Sequence, residues 1–250
     1  YSGRVREAFR ALGHDAYSCD LLPSDDKSWW HHEGCCMPVI SDPDIDWDLI
    51  IMHPPCTALA VSGNAWYGTG MPKNAERHRS IDWTMALFDH AKNNASMVAM
   101  ENPVGVLPIK PTQYVQPWQF GHPESKKTGL WLHNLPKLVE TDNVHAEFLG
   151  LPKNKQQRLH YLPPSADRWK IRSTTFQGIA DAMAAQWSTQ KTSMISGRIH
   201  SMDIDVTEEQ LTRWREGALI QDALGHLHIA EREFIMTGIT AEEWENMDEK

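Results

Sequence analysis

The sequence predicts an α/β fold: a doubly wound, mostly parallel sheet with a small all-α module at its C-terminal end. Three observations carry this. Short apolar runs, several closing on an acid or a proline, alternate with stretches of helical periodicity. Two of the runs, WDLIIMHP (47–54) and ASMVAMENP (95–103), are almost continuously apolar, as in strands covered on both faces. The charge also breaks along the chain. Residues 193–250 carry 5 Lys+Arg against 13 Asp+Glu, which leaves residues 1–192 with 19 of the chain's 24 basic and 20 of its 33 acidic groups.

Taken in order, GRVREAFRAL (3–12) sets Val5, Ala8, Phe9 and Leu12 at helical spacing, and Gly13 stops the helix. HDAYSCD (14–20) reads as a short strand ending in an acid. After the strand at 47–54, residues 75–92 form an amphipathic helix with Ile81, Met85 and Phe88 on one face. The strand at 95–103 follows, then GLWLHN (129–134) as another, and TTFQGIADAMAAQW (174–187) as a helix. The boundaries are a main domain over 1–188, a Ser/Thr-rich linker over 189–197 and an acidic helical module over 198–250. In that module Thr207 and Thr240 each open a capping box. Leu211, Trp214, Leu219, Ile220, Leu224, Leu227, Phe234 and Ile235 supply its small core.

Composition excludes some classes. No run of 18 apolar residues exists, so no membrane span is expected. The opening YSGRVREAFR has charges and no apolar segment, unlike a signal peptide. The four cysteines, Cys19, Cys35, Cys36 and Cys56, crowd into the first quarter, which points to reduced thiols in a cytoplasm rather than a disulfide framework. HHEGCC (31–36) holds metal-competent side chains, but adjacent pairs do not match zinc-ligand spacing, so a loop is expected and no metal. GNAWYGTG (63–70) has no lysine-bearing helix start behind it; it reads as a mobile loop over the site, not a P-loop, and Trp66 within it could cover a base.

The chemistry lies at strand ends. In a doubly wound sheet ligands bind beyond the carboxyl ends of the strands. Asp20, Cys56 and Glu101 all fall at such ends, and Cys56 sits in a Pro-Pro-Cys loop that holds a thiol outward on stiff backbone. HPPC differs from the Asp/Asn-Pro-Pro-Tyr motif of amino-methyltransferases in having neither an amide or acid first nor an aromatic last.

Four segments together resemble the cytosine-5 DNA methyltransferase family, above all its small divergent phage and prophage members. PPCTALAVSG resembles the catalytic loop, MENP (100–103) the Glu-Asn-Val motif, FGHPESKKTGLWL (120–132) the Gln-x-Arg-x-Arg segment and its strand, and TTFQGIADAMAAQW the closing helix, in the family's order over residues 1–188. The resemblance implies a class I, Rossmann-like domain with S-adenosylmethionine as methyl donor and DNA as partner, its cytosine flipped or single-stranded, in the cytoplasm of a bacterial host. It implies Cys56 as nucleophile, Glu101 on the base and Asn102 supporting the loop. Ser2, Gly3, Asp20, Pro54, Phe176 and Gly178 would line the cofactor, with Asp20 on the ribose.

The departures are specific. A first strand ahead of Ser2 is expected. Glu124, Lys126 and Thr128 replace Gln, Arg and Arg, and the second arginine is the one that contacts the base. Cys35 stands where an acid for the adenine is expected, with Asp42 or Asp44 as substitutes. The large target-recognition domain is replaced by residues 133–172, where KNKQQRLHYLPPSADRWKIRS (153–173) interleaves Lys153, Lys155, Arg158, Arg168, Lys170 and Arg172 with His160, Tyr161 and Trp169, a pattern suited to phosphates and bases. Lys126, Thr128, Lys153, Lys155 and Arg158 are therefore the expected substrate contacts. Two other readings stay open: a catalytically weak nucleic-acid or protein-binding module, and an enzyme acting on a free or already modified cytidine nucleotide. The acidic module suits a protein partner.

Overall fold

The computed structural model describes residues 2–187, 190–197, 199–202, 204, 206–215 and 217–248, and the statements below concern these. The order of elements is α1 (Arg4–Ala11), β1 (Ser18–Asp20), β2 (His31–Glu33), α2 (Cys36–Ile40), β3 (Trp47–Met52), α3 (Asn64–Tyr67), α4 (Asn74–Lys92), β4 (Ala95–Pro103), β5 (Gln113–Val115), β6 (Thr128–His133), α5 (His145–Gly150), α6 (Lys153–Gln156), α7 (Arg158–Tyr161), α8 (Arg168–Ser173) and α9 (Gln177–Trp187). The C-terminal part adds β7 (Gln190–Thr192), β8 (Ile199–Ser201), α10 (Glu208–Arg215), α11 (Ile220–Ala223), α12 (Ile229–Thr237) and α13 (Ala241–Asp248).

The main sheet has the order β3-β4-β6-β5 and is covered on both faces. Alternation along β4 divides the core. Ala99 joins Leu130 and Val115 under α1 and α9, where Phe9, Met183 and Trp187 pack. Val98 and Met100 turn the other way, to Leu87, Phe88 and Ala91 of α4 and Ile40 of α2. Truncating a fully buried side chain such as Leu130 should cost about 2–5 kcal/mol.

The expected mostly parallel sheet is corrected. β3 and β4 run parallel, but β6 is antiparallel to both β4 and β5. A parallel neighbour needs a crossover of a dozen or more residues, usually helical. Helix α4 provides one between β3 and β4, whereas residues 104–112 and 116–127 contain only a single 3-10 turn at Pro117–Gln119. β1 and β2 form a separate parallel pair, so β1 and β3 are each an edge strand. The strand expected over 14–20 is confined to its last three residues.

The all-α C-terminal module is also corrected. β7 and β8 pair antiparallel, and the segment expected as a linker over 189–197 includes β7 and the turn after it. Ser193 makes that turn: its hydroxyl accepts the backbone N–H groups of Ile195 (3.2 Å) and Ser196 (3.3 Å). A Ser/Thr-rich stretch thus serves as turn chemistry; Ser188 and Thr189 lie outside the described residues. Both expected capping boxes form. Thr207 Oγ1 accepts from Gln210 N while Gln210 Oε1 accepts from Thr207 N, and Thr240 and Glu243 do the same. Leu224, Leu227, Phe234 and Ile235 are buried as expected, but Leu219 is 61% exposed because it precedes α11 as its N-cap. Among the described residues no helix is long and apolar enough to cross a membrane.

Candidate active site

The parallel pairing of β3 and β4 places the site. Their last matched residues are Met52 and Met100, so His53 and Glu101 stand next to each other at the carboxyl rim, with Cys56 three residues further on. Pro54 and Pro55 end the strand, since neither can donate to a ladder. Asn102, fully buried, donates its amide to the Pro54 carbonyl at 3.0 Å, tying the Pro-Pro-Cys loop to β4.

The loop is pinned from three further directions. The Cys56 carbonyl accepts Leu59 N (3.0 Å) and Ala60 N (2.8 Å). Val61 N donates to Val104 O and Val106 N to Leu59 O, joining the loop to the chain beyond Glu101. From α4 the buried Arg77 reaches back and donates to the carbonyls of Ala58 (2.6 Å) and Ala60 (3.2 Å) and to Asn64 Oδ1 (2.8 Å). The stretch 63–70, expected as a mobile loop, is therefore corrected: Asn64–Tyr67 is helical and anchored by a buried guanidinium. Trp66 projects from it, 64% exposed.

Glu101 has a side chain 14% exposed, with His53 Nδ1 at 3.0 Å from Oε2. Burial works to raise its pKa, but the His53 hydrogen bond, the Lys126 ammonium and the Thr128 hydroxyl outweigh it and hold the carboxyl below its usual range. Lys126 is held by the Thr174 carbonyl at 3.4 Å. The Thr128 hydroxyl also lies 3.0 Å from the Lys126 carbonyl; having one proton, it serves one of these acceptors at a time. The Cys56 thiol is pushed the other way, upward, by burial and then by the Glu101 charge, against the pull of Lys126 and Arg172. At neutral pH this gives an ionised carboxyl facing a protonated thiol, with one ammonium acting on both.

The structure thus gathers Cys56, Glu101, Asn102, Lys126 and Thr128 at one rim. It adds three residues that sequence reasoning passed over. His53 follows only from the parallel register through Met52 and Met100, which sets it beside Glu101. In the sequence Arg172 is one of a basic run and carries no separate signal. Arg77 left no sequence signal, because nothing local says which helix residue reaches back over a loop.

The remaining candidates are placed elsewhere. Asp20 ends β1 beside Glu33 of β2, and its Oδ1 accepts Leu22 N at 3.0 Å. Gly3 caps α1 in the left-handed region, and a Cβ there would meet the Arg6 guanidinium at 2.5 Å. Arg6 is buried and bonded to Glu7, Ser18 and Asp26, tying α1 to β1 and the loop after it. Phe176 and Gly178 are engaged in packing. The Phe176 ring leans on His122 (5.1 Å), Gly178 N donates to His122 Nε2 (3.0 Å), and a Cβ on Gly178 would fall 1.9 Å from the Phe120 carbonyl. Arg158 makes a two-oxygen pair with Glu124, while Lys153 and Lys155 are exposed. Asp42 is corrected as an adenine acid: it lines a cavity of about 550 Å³ with Trp47, Ala95 and Ser96, at the amino ends of β3 and β4, opposite Cys56. A second cavity of about 250 Å³, between Arg4, Arg158, Ile171 and Phe176, also includes Thr174, which holds Lys126. Among the described residues no cluster of three metal-ligating side chains occurs.

No protein-family profile, curated protein or solved structure matches this chain. What the fold and the site define is a mixed α/β protein with a half-buried thiol, a mostly buried carboxyl and an ammonium at one strand rim.

Proposed function

We propose that this chain transfers a methyl group from S-adenosylmethionine to carbon 5 of cytosine in DNA, through covalent addition of Cys56 to carbon 6. The observation that carries the reading is the joint placement of Cys56 and Glu101 at the carboxyl ends of adjacent parallel strands, with Lys126 acting electrically on both. Carbon 5 of cytosine is a poor nucleophile. A sulfur bonded at carbon 6 pushes electron density onto carbon 5, and cysteine both attacks and leaves readily. Glu101 engages the ring nitrogen and exocyclic amine that take up the displaced charge. Asn102 and Arg77 hold the loop that aims the thiol.

The Rossmann-like, doubly wound reading needs one more parallel strand, and the edges of β1 and β3 are where it would pair. The residues fit the donor in part. Asp20 and Glu33, side by side at two carboxyl strand ends, suit hydrogen bonds to a ribose diol, and the Ser2–Gly3 turn lies on the same helix–strand unit. Phe176 and Gly178 fit less well, being used against His122 and Phe120. When bound, S-adenosylmethionine supplies the methyl group as a sulfonium. The exposed Lys153 and Lys155 suit phosphate contact without sequence readout. The acidic C-terminal module is suited to a protein partner rather than DNA.

The test is nucleoside mass spectrometry of single- and double-stranded DNA incubated with the full-length protein and labelled S-adenosylmethionine. Label in 5-methylcytosine is expected. DNA binding with no labelled product on either substrate would overturn catalysis and leave a binding module.

A further inference from the structure

His53 carries an inference that rests on the reading above and deepens it. We propose that His53 is a positioning residue that stores a proton for Glu101, which passes it to nitrogen 3 of the target ring as Cys56 adds.

The geometry comes from the register. Because β3 and β4 are parallel and matched through Met52 and Met100, the next residues of the two strands meet at the rim, and Nδ1 of His53 lies 3.0 Å from Oε2 of Glu101. With the carboxyl ionised, Nδ1 must carry the hydrogen of that bond. The other ring nitrogen can take a second proton, and the side chain, 35% exposed, has access to solvent to obtain it.

The chemistry asks for such a store. Nitrogen 3 of cytosine presents a lone pair, and an ionised carboxylate presents only lone pairs, so the two repel until a proton stands between them. The groups facing Glu101 are His53 from the end of β3, Lys126 from the approach to β6, Thr128 from its first position, and Cys56 from the loop. Lys126 favours the ionised carboxylate and Thr128 carries no charge. Imidazole is the group among them that can hold a proton at one ring nitrogen while it donates from the other. In the step, the Sγ–H bond of Cys56 breaks and an Sγ–C6 bond forms. The ring electrons move to nitrogen 3, and an N3–H bond forms. The His53–Glu101 pair releases one proton to nitrogen 3 and recovers one from the thiol, ending with the number it began with.

The experiment compares wild type with His53→Asn, whose side-chain amide can still donate to Glu101 but cannot take a second proton. The first readout is formation of the covalent adduct on single-stranded DNA carrying 5-fluorocytosine, with S-adenosylmethionine present, across a range of pH. His53→Asn should keep its melting temperature, form adduct about 100-fold more slowly, and lose the acid-side dependence of the rate. The second readout needs no substrate: alkylation of Cys56 by iodoacetamide, followed by peptide mass spectrometry. A stored positive charge beside Glu101 favours the thiolate, so alkylation below neutral pH should be slower in His53→Asn than in wild type. Equal alkylation rates in the two proteins, or equal adduct rates with the same pH profile, would overturn the proposal. If the wild type forms no adduct, the methyl-transfer reading falls, and the alkylation comparison still decides whether His53 stores a proton.

Discussion

The molecule contains two His–Glu pairs of nearly identical geometry in different settings. His53 and Glu101 meet at 3.0 Å at the rim of the main sheet, and His200 and Glu243 meet at 2.9 Å between β8 and α13. Burial does not tell them apart, for the two carboxyl side chains are 14% and 15% exposed. Their neighbours do. Glu243 is surrounded by fixed donors: the Ser196 hydroxyl, His200 and the Thr240 backbone N–H it caps. The Ser196 bond, opposed by burial and joined by His200, Ser193 and the Thr240 backbone, holds the carboxyl at about 2. This is a knot that ties the hairpin to the last helix. Glu101 faces a thiol and an ammonium as well as its histidine. A histidine beside an acid is therefore no evidence of function. A nucleophile sharing the same field is what separates the two.

The largest expected effect that sharpens this contrast is Cys56→Ser. A hydroxyl is a far weaker nucleophile than a thiolate, so trapping on 5-fluorocytosine DNA should vanish while the melting temperature stays close to wild type. Glu243→Gln should leave trapping unchanged. Loss of trapping in that variant would mean that the two regions are coupled and the contrast is wrong.

Next comes Glu101→Gln. Methyl transfer should fall about 100- to 1,000-fold, as when an oriented hydrogen-bonding group is lost from a site of developing charge. Cys56 alkylation at neutral pH should move the other way and accelerate, because the carboxylate that pushes the thiol up is gone; each pK unit is worth about tenfold in thiolate. Slower alkylation would show that Glu101 does not act on the thiol.

Acid should sharpen the comparison further. Both carboxyls are depressed, so each contributes stability that is present above the ordinary glutamate value of about 4.3 and is lost as pH falls through its own lower value. For Glu243 that window runs from about 4.3 down to about 2. Glu243→Gln should flatten the pH dependence of stability there, read as acid-dependent proteolysis around the β7–β8 turn. An unchanged cleavage profile would remove Glu243 as the knot.

The smallest effect is expected at the surface. Replacing Lys153 and Lys155 together by alanine should weaken DNA binding across all sequences and reduce the salt dependence by about two charges, leaving trapping at saturating DNA intact. Arg158 is left out of this test because Glu124 engages it, and its loss would disturb the loop before β6. A binding change confined to particular sequences would assign these lysines to base readout instead.

Much of this was legible in the residues, for physical reasons. Short apolar runs rich in Ile, Leu, Val and Met and closed by proline suit strands, and β3 and β4 appeared at WDLIIM and ASMVAMENP. The capping boxes at Thr207 and Thr240 formed because both partners lie three residues apart on one turn. A thiol held beyond a strand by two prolines follows from local stereochemistry alone. These are short-range facts, and sequence states short-range facts directly.

Strand direction was not legible, because the same apolar pattern serves a parallel or an antiparallel neighbour; the helix-poor connections around β5 decided it. Residues 189–197 suit a linker since Ser and Gly serve flexible chain and tight turn equally well, and for Ser193–Ser196 the Ser193 hydroxyl settles it as a turn. Above all, the residues themselves determined that Cys56 and Glu101 stand at strand ends. Only the tertiary structure decided that the two ends are neighbours, that His53 meets Glu101, and that Arg77 crosses from α4 to hold the loop. Those contacts join positions far apart along the chain. They exist only after β3 and β4 have chosen a register, and a one-residue slip in that register would carry His53 away from Glu101.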